Sequence, residues 1–124
     1  MEIAVIAHDG KKVDMVQFLN KNIDVLKNIK IKLIATGTTG GKAENAGFKV
    51  KKMLSGPMGG DAQIAARVAE GKTKLVLFFK DPLASHAHEV DINMLLRVCD
   101  VHNVPIATNE ASAQLLLNAI VLSL

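Results

Sequence analysis

A chain of 124 residues suits one compact domain, 1–124, and can bury a core without disulfide or metal staples. Hydrophobic residues at 49% and charged residues at 22% form a normal globular balance, while 3% aromatic content, with no Trp and no Tyr, argues against a platform that stacks single-stranded bases. A net charge of +3 from scattered basic residues suits attraction of small anions and does not form a DNA footprint, so no nucleic-acid partner is expected.

The elements alternate along the chain. "EIAVIA" (2–7) predicts a strand, and "KKVDMVQFLNKNIDVL" (11–26) has apolar residues near helical spacing. "IKLIAT" (31–36) predicts a second strand, followed by a short helix around 40–46 that stops at Gly47. "FKVKKML" (48–54) alternates apolar residues with lysine, as a half-exposed edge strand does. Its Lys49, Lys51 and Lys52 are the densest basic cluster and read as a solvated strand face. A helix is expected over 60–71, ended by Gly71, then a buried strand "KLVLFF" (74–79). A helix over 90–103, a strand over 104–108 and a helix over 110–124 complete the chain. Five strand–helix repeats predict an α/β fold: a doubly wound, five-stranded parallel sheet with helices on both faces, the flavodoxin-like or Rossmann-like three-layer sandwich.

No apolar run reaches the roughly 18 residues of a membrane span, and no stretch has the form of a signal peptide. A single cysteine, Cys99, closes no bridge within the chain and fits a reducing compartment. It sits in the apolar stripe of "LLRVCDVH" and reads as a packed core thiol.

Polar and glycine-rich residues gather after the strands: "HDGKK", "TGTTGGK", "SGPMGGD", "KDPLASHAHEVD" and "TNEA". In an open parallel sheet these loops share one rim, beyond the carboxyl ends of the strands, where ligands bind. "TGTTGGK" (36–42) supplies three hydroxyls and a following helix N-terminus, the parts of a phosphate cradle. It is neither a P-loop, because the glycine spacing is short and Ala43 stands where Ser/Thr would bind metal, nor a dinucleotide fingerprint. Lys12 can add a point charge.

Asp61 opens a helix behind a run of glycines and fits either an N-terminal charge or a working base. His86, His88 and Asp91 fall together in "SHAHEVD", and His8 with Asp9 forms a second pair on the rim. The His-x-His spacing matches no established metal motif, so no metal is expected; a histidine donating to an oxyanion, backed by a carboxylate, fits better. Asp81 precedes Pro82, a turn-forming pair, so a structural role competes strongly with a catalytic one, and His102 reads as a surface residue late in a helix. The residues alone do not rank Asp9, Asp61 and Asp91 as bases.

Taken together, "AHD" with Lys12, "ATGTTG", "LSGPMGGD", "FFKDPL", His88 and Asp91, "LLRV" and "PIATN" resemble the methylglyoxal synthase family, in order and from about residue 3 to residue 113. The resemblance implies a carbon–oxygen lyase that turns dihydroxyacetone phosphate into methylglyoxal and inorganic phosphate. It implies no metal or organic cofactor, a homohexamer, and the bacterial cytoplasm. Under it Asp61 is the general base, and His88 stabilises or protonates the enediolate oxygen. Asp91 and His8 assist proton movement, and Asp9 holds the network. Lys12, Thr36, Thr38, Thr39, Ser55 and Gly56 hold the phosphate, with His8 and His88 beside them. Free phosphate, a product, is expected to act as an allosteric inhibitor.

Two departures accompany the resemblance. Family members run on past this point, with an arginine near the phosphate, whereas here no arginine follows Arg97. The "SHAHEVD" loop also lacks a proline that the family places before the histidine. The alternative reading is a non-catalytic, anion-binding regulatory domain like that of carbamoyl phosphate synthetases, which would keep the cradle but not need Asp61 and His88 together.

Overall fold

The computed structural model describes residues 1–83 and 92–124, so His86, His88 and Asp91 lie outside the described residues. Five strands, β1 (Glu2–Ala7), β2 (Lys32–Ala35), β3 (Val50–Lys52), β4 (Thr73–Phe79) and β5 (Ile106–Ala107), form one sheet in the order β3-β2-β1-β4-β5. Every pairing is parallel; Val5 stands opposite Ala35 on one side and Leu77 on the other, and Leu77 opposite Ala107. The helices are α1 (Lys12–Lys21), α2 (Ile23–Leu26), α3 (Gly37–Asn45), α4 (Gly60–Ala69), α5 (Ile92–Val101) and α6 (Glu110–Ile120).

The strand period of two explains why β1 and β4 are apolar throughout. Ile3, Val5, Leu75 and Leu77 face one way and pack with Phe18 of α1 and Leu117 of α6. Ala4, Ile6, Val76 and Phe78 face the other way and pack with Ile64 of α4, Leu95 and Cys99 of α5. A sheet covered on both faces by helices is the doubly wound, three-layer sandwich expected from the alternation. Cys99 is fully buried, and that burial pushes its thiol up to about 11, as a packed core thiol requires. The edge position of β3 accounts for its exposed Lys51 and Lys52 beside the buried Val50.

Several boundaries differ from the sequence pattern for identifiable reasons. The helix expected over 11–26 starts as a 3-10 turn, Asp9–Lys11, and breaks at Asn22. The buried Asn22 amide donates to Phe18 O and to Gln114 Oε1, both at 2.9 Å, and Gln114 donates back at 2.9 Å. A side-chain amide that satisfies local backbone ends a helix turn, and here it also ties α1 to α6. The edge strand is confined to three residues and the last strand to two, shorter than the apolar runs that contain them.

The largest correction concerns "TGTTGG". It was expected as a loop ahead of a helix at 40–46, yet α3 begins at Gly37 and absorbs it. The reason is close packing: an ideal Cβ on Gly40 would lie 2.6 Å from Lys52 Cγ, so glycine lets the first turn of α3 rest against β3.

At the amino end of the sheet, Glu2 is buried and held by three donors. Arg67 Nε and Nη2 reach its two oxygens at 2.8 and 2.6 Å, and Thr73 Oγ1 at 2.6 Å. The Arg67 hydrogen bonds are the main cause that lowers the Glu2 carboxyl to about 2, against an opposing effect of burial. This clasp joins β1, α4 and β4 at the end opposite the glycine-rich loops.

Candidate active site

The strand order reverses between β1 and β4, so the crevice for a ligand lies beyond Ala7 and Phe79. His8 stands there. Its backbone N–H donates to Phe79 O at 3.1 Å, extending the β1–β4 ladder by one residue. Its side chain is buried, its ring meets Phe78 edge to face with centroids 5.1 Å apart, and its Nδ1 accepts the Asp81 N–H at 2.9 Å. A neutral imidazole that accepts at Nδ1 carries its proton on Nε2. Asp81 Oδ1 in turn accepts from Leu83 N at 3.0 Å, which fixes the turn through Pro82. The Asp-Pro pair therefore shapes the loop that orients His8. This partnership was missed in the sequence, where only the turn signal was legible.

The neighbouring loops join this centre in sheet order. Asp9 is exposed and accepts a hydrogen bond from Lys12 Nζ at the first residue of α1. Thr36 and Thr39 are buried beside β1: Thr36 Oγ1 donates to Thr39 Oγ1 at 3.2 Å, and Thr39 Oγ1 accepts from Ala7 N at 3.3 Å. Thr38, one position away in the same turn, is exposed. Next along the rim, Gly37 N donates to Leu54 O at 3.1 Å, which places Ser55 and Gly56 beside the start of α3.

The run "SGPMGGD" resolves into a compact sequence of turns. Gly56–Met58 is a 3-10 turn, and Gly59 adopts φ +106°, a left-handed conformation suited to glycine. Gly60 N donates to Ser55 O at 2.9 Å, and a Cβ there would collide with the Leu54 carbonyl. These glycines fold the chain back on itself and start α4 with Asp61 half-buried in its first turn, where Asp61 Oδ1 accepts from Ala62 N at 3.0 Å. A carboxylate at that position is favoured by the helix dipole.

Three strand-to-helix junctions share one geometry. His8, Thr36 and Ser55 have φ/ψ of −63/155°, −64/157° and −61/156°, and none makes a side-chain cap bond to the helix that follows. Asn109, after β5, behaves in the usual way: its side chain accepts from Ser112 N at 2.9 Å. Thr36 and Ser55 are residue types that normally cap, yet their hydroxyls do not cap here. Helix N-termini carry N–H groups without intrahelical acceptors, and two such termini without a side-chain cap bond converge on one rim. The arrangement can receive an anion with several negative oxygens.

The structure thus brings His8, Asp9, Lys12, Thr36, Thr38, Thr39, Ser55, Gly56 and Asp61 onto adjoining strand ends. His102 follows α5 and is exposed, away from that end. Among the described residues no group of three His, Cys, Asp or Glu side chains could hold a metal ion, and no helix is long and apolar enough to cross a membrane.

Comparison with known proteins bears on this rim. Residues 14–108 match the family model described as "MGS-like domain". The chain is 54% identical over 118 residues to a methylglyoxal synthase of Clostridium beijerinckii, spanning 94% of this chain and 98% of that one. It is 54% identical over 121 residues to a methylglyoxal synthase of Carboxydothermus hydrogenoformans, spanning 97% and 98%. A crystal structure of methylglyoxal synthase from Elizabethkingia anophelis superposes with a TM-score of 0.89 at 41% identity, covering 94% of this chain and 76% of that one. The first two relatives are spanned almost end to end, whereas the third extends beyond the matched part, so the expectation that members run on past this chain holds for some relatives and not for others.

Proposed function

This chain belongs to the MGS-like domain family, and from that membership we propose that it is a methylglyoxal synthase. It acts as a carbon–oxygen lyase on dihydroxyacetone phosphate, releasing methylglyoxal and inorganic phosphate. The observation that carries the reading is the rim itself: Thr36 and Ser55 keep their hydroxyls out of helix capping, beside a half-buried Asp61 and a buried, oriented His8.

Asp61 takes a proton from the hydroxymethyl carbon next to the substrate carbonyl. The C–H electrons form the enediolate double bond, and the carbonyl oxygen becomes the oxyanion. His88 donates to that oxygen, with Asp91 and His8 moving protons around it and the Asp9–Lys12 pair holding the near side. A base within hydrogen-bond reach and a donor where charge develops are the two requirements of such a step. With the central oxygen protonated, the hydroxyl on the deprotonated carbon gives up its proton, its O–H electrons form the aldehyde C=O, and the double bond shifts to expel phosphate by breaking the carbon–oxygen bond. The released enol takes a proton on its terminal carbon and becomes methylglyoxal. Elimination needs the leaving bond aligned with the enediolate π system, so the phosphate must be held firmly. Lys12, Thr36, Thr38, Ser55 and the Gly56 backbone do this, and Thr39 keeps the Thr36 hydroxyl in place through its own tie to Ala7.

The reaction needs no metal or organic cofactor. The chain works as a homohexamer in the cytoplasm, and free phosphate, which shares the cradle, inhibits it allosterically. The test is stoichiometric: dihydroxyacetone phosphate incubated with the protein yields methylglyoxal and inorganic phosphate in equal amounts, with sigmoidal substrate curves once phosphate is added. Phosphate released without methylglyoxal would make the protein a phosphatase, and curves that stay hyperbolic would remove the allosteric part.

A further inference from the structure

A second cavity lies at the opposite end of the sheet from the catalytic rim. It encloses about 650 Å³ where the turn after α2 meets the turn before β3. Its floor is apolar, formed by Leu26, Ile31, Phe48 and Val50, the outer end of the main core. Its rim carries Lys27, Lys32, Lys49 and Lys51, and no Asp or Glu lines it. Lys27 Nζ sits 5.5 Å from the centroid of the Phe48 ring, and Ile29 at the lip is 99% exposed.

Charge is concentrated here. Residues 27–52 hold seven lysines and a single carboxylate, Glu44, which pairs with Lys52 at 2.9 Å. Lys32 leans toward Glu2 at 3.9 Å. Lys51 lies on the edge strand β3 and Lys49 directly precedes it, and both line the cavity. The fold draws Lys27 to the same place from a separate turn. The cavity volume falls within the range of small-molecule sites, which combine apolar walls with a few polar groups.

We propose that this cavity binds an amphiphilic anion: an apolar chain or ring on the Leu26–Phe48 floor, and a carboxylate or phosphate head among the lysines. Charge complementarity selects the occupant, because a four-lysine rim rejects cations and an apolar floor favours a ligand with an apolar part over inorganic phosphate. The site is separate from the substrate crevice and independent of the proposed reaction.

The probe is decanoate below its micelle concentration, titrated by calorimetry into the full-length protein. One decanoate is expected per chain. The Lys27→Glu/Lys49→Glu variant should bind at least tenfold more weakly, and Ile29→Asp, a change at a fully exposed position, should weaken binding as well. Acetate and decyltrimethylammonium should not bind, and turnover of dihydroxyacetone phosphate by the double variant should stay within twofold of wild type. Equal binding of the cationic detergent, or unchanged affinity in both variants, would overturn the proposal. So would binding only to anionic vesicles, or a change in oligomeric mass in the variants, which would mean that a second copy covers the groove.

Discussion

Replacing Glu2 with Gln tests the clasp that closes the amino end of the sheet. The Glu2 carboxyl is held at about 2 instead of its ordinary 4.5, chiefly by Arg67, with help from Thr73 and Lys32. A depressed folded-state value means that stability is present above the unfolded value and is lost as pH falls toward the folded one. A shift of this size corresponds to about 3 kcal/mol at pH 7 and only about 1 kcal/mol at pH 3. Glu2→Gln removes that contribution and leaves the part-buried Arg67 without its charged partner. Because domains are stable by only about 5–15 kcal/mol, the effect is large. Urea unfolding followed by circular dichroism, at one protein concentration, should show Glu2→Gln less stable by about 2–3 kcal/mol at pH 7, with the gap to wild type shrinking by more than half at pH 3. Coincident curves at pH 7, or a gap that does not narrow with acid, would refute the reasoning.

Other changes separate site from scaffold. Gly60→Ala forces a methyl group against the Leu54 carbonyl, and should cost at least about 2 kcal/mol in unfolding free energy and reduce turnover by displacing Asp61. Thr36→Val should raise KM for dihydroxyacetone phosphate about tenfold, whereas Asn109→Ala, which removes an ordinary cap, should lower stability by about 1 kcal/mol and leave KM unchanged. Cys99, buried and with its thiol pushed up to about 11, should resist a thiol reagent at pH 8 in the native protein and react promptly in urea; fast native reaction would contradict its place in the core.

The sheet was legible because each central strand spends both faces on apolar contacts, so β1 and β4 stand out as unbroken runs. The loops of the rim were legible through their glycines and hydroxyls. What those glycines do was not. In "TGTTGG" they let a helix begin early and lie against β3, and spacing alone does not distinguish that from a flexible loop. The break at Asn22 depends on Gln114, 92 positions away, and no local pattern carries such a contact. The same holds for the basic cavity: Lys27 and Lys49 come to one cavity only once the turn after α2 meets the turn before β3. The partnership of His8 with the Asp81 backbone is equally nonlocal, although the Asp-Pro turn that makes it possible was in plain view.

The central claim, that this rim eliminates phosphate from a triose phosphate with Asp61 as base, is tested most directly by assaying wild type and Asp61→Asn together. Both are given dihydroxyacetone phosphate, and methylglyoxal and phosphate are measured in the same samples. The account predicts equal release of both products by wild type and a fall of at least about 10²-fold in kcat for the variant, with phosphate still bound. A wild type that binds phosphate but produces no methylglyoxal, or an Asp61→Asn variant that turns over at the wild-type rate, would contradict it.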